Sequence, residues 1–401
     1  MAARWILLVC LLVCIVEAQG LSPLILARIS RPRLSVRLFN VESYGAIADG
    51  KTDNSAAFLK AWDEACNWGG LSSIVVPHGT YMLKQVVFSG PCKGWTTFEI
   101  RGVLKAPTDP PTSSERTWIN FRYVNQLNVN GGGTLDGQGA LVWGHKPVYM
   151  TMGFAFVTNS YVHNLRSSNS QNAHFALFAC ENMTFTNIML TAPRDSPNTD
   201  GIKIGRSKGI TIKDAYIATG DDCIAIISGT KKVTISNVFC GPGHGISVGS
   251  LGKHDNEVDV KDISVKNCTF YGTYNGLRIK TWASPLNHTL KASNFVYEDI
   301  FFKDVEHPII IDQEYCPGHH CGNMVPSSVQ ISNVSYKNIQ GSCKNDVAVS
   351  FKCSEKLPCQ NITMEDINLW SSSKGSKRRL TNYCSHANGA SYGKQIPLSC
   401  I

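Results

Sequence analysis

The sequence predicts an all-β fold, a single-stranded parallel β-helix, and three observations carry that prediction. First, a small unit recurs in which alternating β-branched or apolar residues lead into Asn or Asp and then another apolar residue. Examples are Thr184-Phe185-Thr186-Asn187-Ile188, Thr234-Ile235-Ser236-Asn237-Val238 and Gln330-Ile331-Ser332-Asn333-Val334. From Asn164 the markers Asn187, Asp214, Asn237, Asn267, Asp299, Asn333 and Asp366 follow at steps of 23, 27, 23, 30, 32, 34 and 33 residues, within the range of about 20 to 50 that marks stacked repeats. Second, these runs have the two-residue period of strands, close on Gly, Asn and Ser, and almost lack helical periodicity. Third, Leu is too sparse for leucine-rich repeats, and the steps are too short for propeller blades of about 40 to 45 residues. One coil cannot bury its apolar face alone, so coils stack on a shared core. Asn at each marker suits a turn, because Asn tolerates the left-handed backbone region.

Before the array, residues 1–20 read as a secretory signal peptide, with Arg4, an apolar run from Trp5 to Val16 and small residues at Val16-Glu17-Ala18. That run is shorter than the roughly 20 residues of a membrane span, and no later stretch qualifies. The expectation is an exported, soluble protein whose residues 21–401 form one domain. Open solenoid ends expose strand edges and core, so both ends should be capped. Asp53–Cys66 is the one convincing amphipathic helix, with Asp53 as N-cap and Ala57, Leu59, Ala61, Trp62 and Ala65 available to pack. It is expected to cap the N-terminal end. The polar stretch from Ser371 to Ile401, with Cys384 and Cys400, is expected to form a stapled tail.

Of 15 cysteines, Cys10 and Cys14 belong to the signal and 13 remain, a usage that fits an oxidising compartment. No zinc-type spacing appears. The short-range pairs Cys66–Cys92, Cys223–Cys240, Cys316–Cys321, Cys353–Cys359 and Cys384–Cys400 are available, although sequence does not fix connectivity. An odd count leaves at least one thiol free or paired between chains. Five sequons, at Asn182, Asn267, Asn287, Asn333 and Asn361, fit a glycosylated exported protein.

Apolar residues make up 43% and charged residues 17%, which excludes a disordered chain. Lys and Arg number 38 against 30 Asp and Glu, a net charge of +8. The excess is thinly spread, and Lys374–Arg379 is the only dense run. Such a balance reads as mild attraction for a polyanion and not as nucleic-acid binding.

Four segments break the repeat with ionisable residues: Asn198-Thr199-Asp200-Gly201, Gly220-Asp221-Asp222-Cys223, Gly243-His244-Gly245 and Arg278-Ile279-Lys280. Asp200 to Asp222 and Asp222 to His244 are each 22 residues, one coil, and neighbouring coils lie about 4.8 Å apart. The three positions should therefore stack on one face. Arg278 and Lys280 should follow on the next coil, after an insertion (Leu251 to Val258) that bulges out as a loop, and point to the same side. Adjacent strand residues point to opposite faces, so Asp221 and Asp222 share the cleft only if the chain bends, which Gly220 permits. Taken singly, an Asp pair after Gly is usually a solvated turn, a His between glycines a turn residue, and Arg-x-Lys a solvated face. The shared 22-residue register is what these readings leave to coincidence. Crowded carboxylates repel, so at least one should titrate high. A protonated and an ionised carboxyl side by side are the tools of an acid–base hydrolase. No cofactor or metal is called for: three acids could hold Ca²⁺, but Arg278 and Lys280 in the same groove favour an anionic substrate.

In this order and at these spacings the four segments resemble the polygalacturonases of glycoside hydrolase family 28, from about Phe39 to the C-terminal Cys400. The resemblance implies a right-handed parallel β-helix that hydrolyses α-1,4-galacturonan, the acidic backbone of pectin, with inversion. It assigns Asp221 as general acid, Asp200 and Asp222 as the groups that activate water, and His244 as support for the acid. Arg278 and Lys280 would hold substrate carboxylates, with Tyr315 at the binding cleft. Asn198 is counted with these substrate-binding residues and would orient Asp200. Carboxyls one to two coils apart bracket the roughly 6.5–9.5 Å of an inverting pair. Gly243–Gly252, Arg278–Trp282 and Asp312–Pro317 look most like plant exopolygalacturonases, including pollen types. This favours exo over endo action, by a secreted monomer in the plant cell wall.

Three other readings compete. A pectate lyase would need Ca²⁺-binding acids and an Arg base. A non-catalytic wall protein would bind pectin through the basic groove alone. A hydrolase of rhamnogalacturonan or xylogalacturonan would differ in its polymer.

Overall fold

Among the described residues, every strand pairing is parallel and joins strands that are not consecutive in the chain. The computed structural model describes residues 35–111, 114–144, 148–317, 325–372 and 379–401, and Val36–Ile401 form one compact unit. The proposed signal peptide, Cys321 and all of the dense cationic run except Arg379 lie outside the described residues. Among those described, parallel strands form two sheets of 17 and 11 strands. The N-terminal coils give two short strands each to the larger sheet, and from Thr158 onward each coil gives one short strand to the smaller sheet and one long strand to the larger, the arrangement of a parallel β-helix.

The repeat becomes this winding through its Asn and Asp residues. Asn164, Asn187, Asp214, Asn237, Asn267 and Asp299 all have φ between 49° and 57°, the left-handed region that Asn and Asp enter most easily. Their side chains form a ladder: Asn187 Nδ2 donates to Asn164 Oδ1 at 2.6 Å, Asn237 to Asp214 at 2.9 Å and Asn267 to Asn237 at 2.7 Å. A second left-handed column runs five residues earlier, through Asn159, Asn182, Asp262, Asn294, Asn333 and Asn361. The marker expected at Asn333 belongs to this second column, where Asn361 Nδ2 donates to Asn333 Oδ1 at 2.8 Å. The residue that follows Asp299 in the first column is Asn338, whose Nδ2 donates to Asp299 Oδ1 at 2.6 Å. Both corners accept the same residue types, so the repeat alone did not separate them.

Between the sheets lies a continuous core in which apolar residues stack from coil to coil. Ile202, Ile224, Ile246, Leu277 and Ile309 stack in register, as do Ile188, Ala215 and Val238. All are buried, and each buried Val, Leu or Ile side chain contributes about 1.5–3 kcal/mol relative to exposure.

The helix spans Ser55–Cys66, with Asn54 at the N-cap position in place of Asp53. The Asn54 side chain makes no cap bond, because it ties the preceding loop at Ile47 and Thr52 to Met82 of a neighbouring strand. Asp53 Oδ1 instead accepts from Ser55 N and Oγ. Trp62 packs against Phe88, Phe98 and Phe121, and Leu59 lies at the edge of the same core. At the other end, Thr381–Ser385 and Ala387–Ile396 continue the two sheets in parallel, so the stretch expected as a tail contributes further strands.

Disulfides Cys66–Cys92, Cys223–Cys240, Cys353–Cys359 and Cys384–Cys400 are formed. Cys316 is also disulfide-bonded, and Cys180 and Cys268 are buried thiols. No described helix is long and apolar enough to cross a membrane.

Candidate active site

The 22-residue register is real in three dimensions. Ile202 pairs with Ile224 and Ile224 with Ile246, and Asp200, Asp222 and His244 each stand two residues before one of these. The coils are tied at that level by Gly201 N to Asp222 O at 2.9 Å and His244 N to Asp221 O at 2.8 Å. The chain bends at Gly220–Asp221, which lets neighbouring Asp221 and Asp222 serve one cluster. Gly220 is required there by close approach: a Cβ would lie 2.0 Å from Ser196 O. Thr199 fixes the turn from the coil before, its Oγ1 accepting from Gly220 N at 2.9 Å.

Burial grades the three acids. The side chains of Asp222 and Asp200 are 3% and 6% exposed, whereas Asp221 and His244 are 25% and 42% exposed. Asp222 and Asp200 therefore form the floor, and Asp221 with His244 faces the opening. On the floor, Asp222 Oδ1 accepts from Ser247 Oγ at 2.7 Å and Oδ2 from Lys280 Nζ at 2.8 Å. Asp200 Oδ2 meets Lys203 Nζ at 2.7 Å. At the opening, His244 Nδ1 and Asp221 Oδ1 lie 3.0 Å apart, and the same oxygen accepts from Asp222 N at 2.8 Å.

These environments push the carboxyls apart in acidity. Burial raises Asp200, Lys203 opposes it, and the Asp222 and Asp221 charges add to it, leaving the group pushed up to about 6. Burial also works to raise Asp221, but its hydrogen bond to His244, the His244 charge, the Asp222 N–H and Lys280 together hold it below the usual carboxylate range. One carboxyl that titrates high beside one that titrates low is the combination acid–base catalysis uses.

Beyond the acids, Lys203, Ala225, Ser247 and Arg278 share one column on the outer side of the smaller sheet. Arg278 and Lys280 flank Tyr315, with their cationic heads 5.1 and 5.6 Å from its ring centre. Trp282 meets the same ring edge-on at 5.4 Å, and Lys253 lies over Trp282 at 4.7 Å. Arg278 Nε is buried with no partner. The insertion after Leu251 is a loop held by Glu257, which accepts from Gly252 N, Lys253 N and His254 N. Asn198 is exposed, in a left-handed turn at φ 55°, and the cation at Asp200 is Lys203. Ligand atoms of Asp221, Asp222 and His244 come within 4.8 Å of one another. A metal ion there would compete with Ser247 and Lys280, which already engage both oxygens of Asp222.

Sequence reasoning missed Lys203, Ser247 and Thr199. The signal for the first two was present: Lys203, Ala225 and Ser247 repeat at the same 22-residue step as the acids. Thr199 sits within the Asn-Thr-Asp segment, but nothing in the sequence announces a hydroxyl that braces the next coil.

The sequence pattern described as glycosyl hydrolases family 28 matches residues 66–390. An exopolygalacturonase of Platanus acerifolia is 43% identical over 370 residues, covering 90% of this chain and 97% of that protein. A polygalacturonase of Gossypium barbadense is 40% identical over 387 residues, 94% of each. The solved endo-xylogalacturonan hydrolase of Aspergillus tubingensis superposes with a TM-score of 0.75 at 23% identity, over 90% of this chain and all of that one, which shows a common fold. This chain is a glycoside hydrolase and belongs to glycosyl hydrolases family 28.

Proposed function

We propose that the protein hydrolyses α-1,4-galacturonosidic bonds of homogalacturonan, the acidic backbone of pectin, by an inverting acid–base mechanism. The observation that carries this reading is the graded trio of acids: a half-open Asp221 beside His244, over a floor of Asp200 and Asp222 that are each held by a lysine. Asp221, at the opening, protonates the leaving glycosidic oxygen as the bond from the anomeric carbon breaks. A water attacks that carbon from the opposite face, and its proton passes to Asp200 or Asp222. His244, at hydrogen-bond distance from Asp221, restores the acid's proton between turnovers. Arg278, with Tyr315 beside it, receives a substrate carboxylate. Its buried unpartnered Nε and the overall charge of +8 favour an anionic chain there.

The proposal includes exo action by a secreted, monomeric, wall-resident enzyme. The high identity to a plant protein named exopolygalacturonase supports the exo mode. Incubation with a defined oligogalacturonide tests it. Release of monomer alone, as the β-anomer by proton NMR, fits the proposal. A mixture of oligomers would mean endo action, and an initial α-anomer would mean retention.

A further inference from the structure

Lys203 stands between the core residues Ile202 and Ile204 in the short strand Ile202–Gly205, so its side chain leaves the sheet on the outer side, with the cleft. Its in-register neighbours on the coils before and after are Ala176 and Ala225. Two alanines leave room for the lysine and offer it no carboxylate. The group that Lys203 does meet is Asp200, at 2.7 Å.

The charged groups facing Asp200 from the packed elements fall into three sets. From the following coil come Asp222 and Asp221, both of which discourage charge on it. The cations of those acids are engaged elsewhere, Lys280 with Asp222 and His244 with Asp221. From the preceding coil comes His174, whose backbone N–H donates to Asp200 O at 2.8 Å while its ring faces Ser167 Oγ. Burial pushes that imidazole down to about 3, so it stays neutral. Lys203 is thus the cation that answers a buried carboxylate placed beside two others.

We propose that Lys203 is a positioning residue for the catalytic proton: by favouring charge on Asp200 at 2.7 Å, it limits that group's hold on the proton of the acid trio and keeps the form with a protonated Asp221 accessible. This rests on the reading of Asp221 as acid and Asp200 as base. Asp200 already titrates above Asp221; without the ammonium it holds the proton more tightly still, and the form of the enzyme with a protonated Asp221 becomes scarcer.

The test is steady-state hydrolysis of polygalacturonate across pH by wild type, Lys203→Met, Lys203→Gln, Lys203→Arg and Asp200→Asn, each checked for folding by circular dichroism. An opposite charge at this range moves a carboxyl by about one to three pH units. Lys203→Met and Lys203→Gln should therefore shift the kcat/KM profile upward by at least about one unit. A one-unit change in the acidity difference is tenfold in the populations, so peak kcat should fall at least about tenfold, with KM little changed. Lys203→Arg should return the profile to the wild-type position. An unmoved profile, or a loss wholly in KM, overturns the proposal and makes Lys203 a substrate contact. Lys203→Gln keeps the test decisive should the Met variant fail to fold. Asp200→Asn separates the two readings. Wild-type activity in that variant would sink the base assignment, whereas its inactivity together with an unmoved Lys203→Met profile would sink only the role of Lys203.

Discussion

Lys280 and Asp222, 58 residues apart in the chain, form a buried ion pair: Nζ lies 2.8 Å from Oδ2, and the two side chains are 10% and 3% exposed. From sequence alone, Lys280 paired with Arg278 as a second hand for substrate carboxylates. In the fold the two residues differ. Lys280 holds an acid of the floor, while Arg278 stands free of that pair beside Tyr315.

Their variants should differ accordingly. Removing one partner of a buried pair costs on the order of 3–5 kcal/mol, so Lys280→Ala should lower both the melting temperature and kcat. Adding Asp222→Asn should recover part of the stability and none of the activity. Arg278→Ala should mainly raise KM, as expected for uniform binding. Thermal melts and kinetics on polygalacturonate separate the two, and an unchanged KM in Arg278→Ala would remove its proposed role.

The pH dependence follows from the two titrating acids. The working form carries one proton, on Asp221, with Asp200 ionised; because Asp200 titrates above Asp221, this is the minor of the two singly protonated forms. With Asp200 pushed up to about 6 and Asp221 held below the ordinary range, the last of these protons leaves as pH passes about 6. Below the Asp221 range both acids are protonated and the base is lost. The kcat/KM profile, which reports the free enzyme, should therefore peak on the acid side of pH 6. An optimum at or above neutrality would contradict the assignment.

Gly220 sets the turn that brings two adjacent aspartates into one cluster, and a Cβ there would strike Ser196 O at 2.0 Å. Gly220→Ala should displace Asp221 by a fraction of an ångström or more. A displacement of about 1 Å costs on the order of 100-fold in rate, so kcat should drop by one to two orders of magnitude while the far-ultraviolet dichroism keeps its β signature.

Tyr297 and Tyr336 stack 5.1 Å apart inside the solenoid, fully buried and with no hydrogen-bond partner for either hydroxyl. An unpaired buried hydroxyl costs about 1–3 kcal/mol. Tyr297→Phe and Tyr336→Phe should each leave stability unchanged or raise it by about 1 kcal/mol in calorimetry, with no effect on kinetics. A clear loss of stability would mean that those hydroxyls are satisfied.

Much of this was legible because a β-helix writes its geometry into spacing. The 22-residue step alone placed Asp200, Asp222 and His244 on one face, and the alternating apolar residues of the repeat marked the strands that line the core. What stayed hidden depended on reach across coils. That Lys280 would turn to Asp222, that Ser247 would bond its other oxygen, and that Thr199 would brace Gly220 are matters of side-chain length and close approach, which a repeat does not encode. The helix start moved one residue for the same kind of reason: Asn54 was committed to the loop before it, a contact made from Met82 and Ile47 and not from the helix sequence. The misassigned marker at Asn333 shows the limit of pattern itself, since two corners per coil favour the same residue.

The most direct measurement is the activity of Asp221→Asn on polygalacturonate, read as reducing ends released, alongside binding of the same polymer. General acids contribute typically about 100- to 10,000-fold. The account predicts a loss of at least that order, with binding retained. Hydrolysis at the wild-type rate by the folded variant would contradict it.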